Sequence, residues 1–202
     1  MCRRRERLLD FLAGLSLQEG NHVHNFKVLF VSQEKHAPHA DALPVEIVDD
    51  RGRLLAVVSA GEAHRQSLPH RSVLVLFVDR EQKILLAKRP KDAPVFPSRW
   101  DLPARGHLQP GEAHFDAARR LADSLFPAQG GLPAFQARLS PTERSDFEAL
   151  AVYRYPVGFQ NDPSERNILA VSHEELAVLA ADFRDLLTPA VVQAFEAGIL
   201  FA

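Results

Sequence analysis

The chain has 202 residues, 46% hydrophobic and 25% charged, with 24 lysines and arginines against 26 aspartates and glutamates for a net charge of −2. This suits one soluble domain with a real core, and the charge balance excludes a polybasic surface for nucleic acid polymers or anionic lipid. The longest apolar run, residues 73–78, is far too short to cross a bilayer, and a single cysteine, Cys2, excludes an intrachain disulfide and a cysteine-built zinc site.

The start, Met1-Cys2-Arg3-Arg4-Arg5, is charged but leads into no long apolar stretch with a small-residue cleavage site. A cytoplasmic protein is the expectation. Residues 5–14 read as a short helix with Leu8, Leu9, Phe11 and Leu12 on one side, and Phe26–Val31 as a strand. Residues 32–44, rich in His, Ala and Pro, read as a linker. The division expected is therefore an N-terminal extension over 1–43 and one domain over 44–202.

From Pro44 the punctuation becomes regular. Val45–Val48 and Leu54–Val58 are strands joined by the turn Asp50-Arg51-Gly52. Ser72–Val78 is a buried strand, returned by Lys83–Arg89 after the turn 79–82. Pro94 and Pro97 mark a loop before Trp100, and a helix runs from about His114 to Phe126. Phe147–Val157 and Ile168–Val171 are further strands. Ser172-His173-Glu174-Glu175 is a capping box opening a helix, and Thr188-Pro189 opens a last one that Gly198 ends. Strands interleaved irregularly with few helices indicate an α+β protein with a mixed sheet.

The stretch with most chemical content is Gly106-His107-Leu108-Gln109-Pro110-Gly111-Glu112 and the helix after it. Gly106 and Glu112 stand with a five-residue gap that resembles the start of a Nudix box, G-x5-E-x7-R-E-U-x-E-E-x-G-U, where U is a bulky aliphatic. Asp50-Arg51-Gly52, His70-Arg71-Ser72, residues 84–89, residues 96–101 and Gly106-His107 resemble, in order and spacing, the isopentenyl-diphosphate-isomerase-like branch of Nudix hydrolases. The resemblance covers Pro44 to the end and implies an α/β/α sandwich around a mixed sheet.

It also implies hydrolysis of a nucleoside diphosphate linked to another moiety, with Mg²⁺ or Mn²⁺ on clustered glutamates. Divalent metal neutralises pyrophosphate oxygens and lowers the pKa of the attacking water. Two registers are open over the helix. Without a gap, Arg120 is the box arginine and the acidic positions become Leu121, Ser124 and Leu125. With one residue deleted, Arg119 is the box arginine, Arg120 and Ser124 replace two glutamates, and Asp123 keeps the third. Ala117, Leu121 and Leu125 recur at i, i+4 and i+8 as a core stripe, which favours the deletion.

The catalytic candidates are thus Glu112, Asp123 and Glu165, the last beside Asp162 in a loop where Nudix enzymes often place an extra base. Glu112, Asp123 and Asp116 are the metal candidates, and Lys88, Arg89, Arg119 and Arg120 the phosphate-binding ones. His107 stands where the isomerases have a metal ligand, but Arg105 stands where they have a cysteine. Trp100 and Phe96 are expected to pack. A hydrolase of nucleoside-diphosphate-linked substrates, weakened by its sparse box, is the first reading. An inactive nucleotide-binding or regulatory module needing no metal is the second, and a diphosphate isomerase ranks last. The partner expected is a nucleotide or diphosphate ligand, with neither nucleic acid polymer nor membrane. Homodimerisation through Leu8, Leu9, Phe11 and Leu12 is open.

Overall fold

The computed structural model describes residues 40–93, 96–126, 131–158 and 167–202. The helix and strand expected before residue 32, and Asp162 and Glu165, lie outside these.

Apolar strands, the central ones buried on both faces, build a nine-stranded mixed sheet. β1 (Pro44–Val48) and β2 (Leu54–Ser59) form an antiparallel hairpin. Its turn is closed by the Asp49 carboxylate, which accepts from the Arg51 and Arg53 amides, and by Gly52 at φ +74°. β3 (His70–Val78) is the spine. It runs parallel to β8 (Glu148–Pro156) over nine residue pairs and antiparallel to β6 (Ala104–His107), touching β1 at one end and β4 (Ile84–Lys88) at the other. β4 continues to β5 (Trp100–Asp101) and β9 (Ile168–Val171), and β7 (Ala134–Leu139) lies outside β8.

Two cores cover the two faces, the α/β/α arrangement expected. Alternate residues of β3 divide between them. Val73, Val75 and Phe77 pack under α2 (His114–Leu125) through Ala117, Ala118, Leu121 and Leu125. Leu74, Leu76 and Val78 pack under α3 (His173–Asp182) and α4 (Pro189–Glu196). Trp100 is buried in this second core, as expected.

The Ser172–Glu175 capping box forms, with the Ser172 amide donating to Glu175 Oε2 at 2.8 Å. Thr188 departs from expectation. It occupies the N-cap of α4, but its hydroxyl donates to Asp101 Oδ1 at 2.7 Å and caps nothing. The hydroxyl is turned toward that buried carboxylate, and no helix amide donates to it. α1 (Ala60–Arg65) had no strong sequence signal, because six residues are too few to show a helical period.

Candidate metal centre and cleft

The register of β3 with its two neighbours assembles the site. His70 lies opposite Glu148 on β8, Ser72 opposite His107 on β6, and Leu74 opposite Arg105. Directly opposed residues share a face. The spacing of two along β3 therefore sends His70, His107, Glu148 and Arg105 to the α4 side of the sheet. α1 adds His64. Its start is fixed by Ser59, whose hydroxyl accepts from the Glu62 amide, and its end by the Leu68 amide donating to Ala63 O.

One donor atom from each of His64, His70, His107 and Glu148 lies within 4.8 Å of the others. The ring centroids are 4.8 to 5.2 Å apart, and His107 Nε2 is 3.7 Å from Glu148 Oε1. His70 is fully buried. Its Nδ1 lies 2.8 Å from Leu68 O, so that nitrogen carries the proton, and Nε2 has no hydrogen-bond partner among the described residues. A histidine held at one nitrogen by a backbone carbonyl, with a bare lone pair on the other, has the arrangement of a metal ligand. Burial lowers the His70 pKa and keeps the ring neutral, the form that binds metal. Ser72 Oγ, two residues on along the same face of β3, is likewise buried and has no hydrogen-bond partner among the described residues.

Glu148 is 2% exposed. Burial alone would raise its pKa, but the Arg105 charge and the contact with His107 outweigh it and hold the carboxyl well below the usual range. Arg105 Nε donates to Glu148 Oε2 at 2.8 Å and Nη2 to Ser145 O at 3.1 Å. Just before Glu148, Asp146 and Phe147 both have φ +57°, a conformation rare for non-glycine residues. This turn is held by the Phe147 amide donating to Thr142 O at 2.8 Å, and it brings Asp146 Oδ2 to 3.1 Å from His64 Nδ1.

The group lies at a cleft of about 980 Å³ lined also by Arg89, Phe96, Arg105 and residues of α4. Arg89 Nη1 donates to Asp101 Oδ2 at 2.9 Å on its wall.

The candidates read from the box are placed differently. Arg120 Nε and Nη2 donate to the two oxygens of Glu112, both at 2.9 Å, and Nη2 also reaches His107 O at 3.1 Å. Glu112 Oε2 accepts from the Gln109 amide as well. Burial would raise the Glu112 pKa, but Arg120 and that amide bring it below normal. The arginine closing on Glu112 is thus Arg120, at the spacing of the ungapped register. Leu121 and Leu125 are nonetheless in the core, as the periodicity required. The core stripe is real, but it does not require a deleted residue.

Asp123 pairs with Arg119 at 3.6 Å, both side chains more than half exposed. Asp116 is exposed in the first turn of α2. Among the described residues, the only group of three or more His, Asp or Glu fit to hold a metal is the one around His107 and Glu148. The structure does not gather Glu112, Asp116 and Asp123 into a ligand set. Lys88 sits 5.7 Å over the Trp100 ring. His64, His70 and Glu148 escaped sequence reasoning because they lie on three different elements, with Glu148 nearly eighty residues along the chain from His70. Their signal was His107 itself, which pairs with Ser72 two residues from His70, the partner of Glu148.

Residues 68–123 match the family model for the NUDIX domain. The chain is 36% identical over 112 residues to an isopentenyl-diphosphate Delta-isomerase of Nocardia farcinica, covering 52% of this chain and 64% of that protein. It is 33% identical over 86 residues to an uncharacterized Nudix hydrolase of Streptomyces coelicolor, covering 43% and 48%. The match thus spans about half to two thirds of these relatives' length. A solved structure from Deinococcus radiodurans superposes with a TM-score of 0.59 at 17% identity, covering 76% of this chain and 98% of the other, a likeness of fold.

Proposed function

We propose that this chain, whose residues 68–123 match the NUDIX domain, is a metal-dependent hydrolase of a small diphosphate-bearing molecule. The class of substrate is a nucleoside diphosphate linked to another moiety. The observation that carries the proposal is the convergence of His64, His70, His107 and Glu148 at the cleft.

Three imidazoles and one carboxylate suit Mn²⁺, Zn²⁺ or Fe²⁺ better than Mg²⁺, which prefers oxygen ligands. A divalent ion held there supplies Lewis acidity and a bound water of lowered pKa. The protein's part is to fix the ligands: Leu68 O orients His70, and Asp146 Oδ2 lies 3.1 Å from His64 Nδ1. Arg89, braced by Asp101 on the cleft wall, is placed to meet phosphate oxygens. In this reading Glu112 and Arg120 brace the loop that carries His107, and Asp123 and Arg119 are surface charges.

The nearest rival class is a module that binds nucleotide without turnover. Thiol-mediated isomerisation ranks below both, since Arg105 takes the place of the cysteine. The test is elemental analysis of the purified protein, followed by a panel of nucleoside-diphosphate-linked compounds with and without chelator. Metal should be retained, and turnover should vanish with chelator, in His107→Ala and in Glu148→Gln, yet persist in Asp123→Asn. Turnover lost in Asp123→Asn but kept in Glu148→Gln would overturn the assignment. Tight nucleotide binding with no turnover and no metal would favour the module.

A further inference from the structure

Arg105 touches the candidate ligand group directly through Glu148, and its guanidinium is only partly used. Nε goes to Glu148 Oε2 and Nη2 to Ser145 O, while Nη1 makes no hydrogen bond among the described residues. The side chain is 28% exposed and lines the cleft. Its strand position opposite Leu74 gives it the same face as His70 and His107. A cation seated beside ligands is unfavourable for metal binding, because it draws on Glu148 and repels a second positive charge. A residue set against the metal in this way calls for a separate role in the cleft.

We propose that Arg105 is the anion receptor of the cleft, offering its free guanidinium edge to a phosphoryl oxygen of a ligand whose other oxygens face the metal. The proposal rests on the hydrolase reading for the metal, and adds the residue that recognises the anion. The geometry assigns the two ends of the guanidinium to different tasks. Nε ties up Glu148 Oε2 and leaves Oε1, 3.7 Å from His107 Nε2, directed to the ligand group. Nη1 is the donor left for the ligand, and its fork geometry suits tetrahedral oxyanions better than a lysine ammonium would. With a divalent ion present, the site carries surplus positive charge despite Glu148 and Asp146, as a receptor for a multiply charged anion requires.

The test is calorimetric titration of full-length protein with inorganic pyrophosphate, with metal content measured on the same samples. Arg105→Gln should weaken pyrophosphate binding tenfold or more while metal content stays at the wild-type level. Arg105→Lys keeps a charge beside Glu148 but loses the fork, and should fall between the two. It gives the answer if Arg105→Gln does not fold. Unchanged pyrophosphate affinity in both variants would overturn the proposal. So would loss of bound metal in both, which would make Arg105 a brace for Glu148. If the wild type holds no metal, the hydrolase reading fails separately. The same titration on metal-free protein then decides on Arg105, with an arginine-dependent loss of affinity supporting it and an equal affinity overturning it.

Discussion

At the foot of α2, Glu112 and Arg120 close on each other through two contacts of 2.9 Å, while across the sheet His70, His107 and Glu148 converge with His70 Nε2 bonded to nothing among the described residues. Both regions are rich in titratable groups and both belong to the NUDIX match or its strand neighbours. In the first, every carboxylate oxygen has a partner in the protein, so the charges are spent on holding the loop. In the second, a buried ring is left with an open lone pair, a costly state unless something outside the chain completes it. Saturation of partners, more than the mere presence of carboxylates, separates brace from site.

The strongest way to break that comparison is to force chemistry back into the helix. Leu121 stands where the ungapped box would have its first glutamate, and it is fully buried against β3 and β6. Leu121→Glu would place a carboxylate in this apolar core, at a cost of several kcal/mol that approaches the stability of an ordinary domain. The variant should lose its cooperative urea transition, whereas Leu121→Ala should fold with about 3 kcal/mol less stability. A folded Leu121→Glu with increased metal uptake would mean that this face of α2 is a ligand surface after all.

A smaller effect separates the two arginines. Arg120→Ala removes the two-pronged partner of a mostly buried carboxylate and the contact to His107 O, and should cost about 2 kcal/mol in urea unfolding. Arg119 and Asp123 are both more than half exposed, and Arg119→Ala should cost less than about 0.5 kcal/mol. Equal losses would return Arg119 to the box-arginine role.

The fold was legible because its signals are local. Unbroken apolar runs marked β3 and β4, the Ser172 capping box and Pro189 marked helix starts, and the i, i+4 stripe of α2 named its buried face correctly. What the stripe could not give was the partner of Glu112. Arg119 and Arg120 are adjacent, and only the packed helix shows which one turns toward the loop. The ligand group was illegible for a related reason. His70, His107 and Glu148 are brought together by strand register, with His64 added from α1, and register is not visible in one strand alone. His114 hid for the opposite reason, as a polar residue at a helix start that reads as ordinary surface.

That histidine gives the most specific contrast, one that pH alone exposes. Burial first, then the charges of Arg71 and Arg138, push the His114 pKa down to about 4, and Arg71 Nη2 lies 3.1 Å from its Nδ1. Arginine can only donate, so the ring accepts there and must be neutral. Between pH 6.5 and about 4 the unfolded chain then holds the extra proton, so stability falls as pH drops through that window. The loss should be about 1–2 kcal/mol once solvent screening of a half-buried ring is allowed for. Glu46, its pKa lowered chiefly by the Gly111 amide, adds its own loss only as pH falls below the ordinary glutamate value, and His70 adds one in the same direction as His114. Subtraction isolates the His114 share: wild-type stability minus that of His114→Gln, measured by urea unfolding, should shrink from pH 7 to pH 4.5. A difference that stays flat across that range would show that His114 titrates as it does in the unfolded chain, and that the Arg71 contact does not hold the ring neutral.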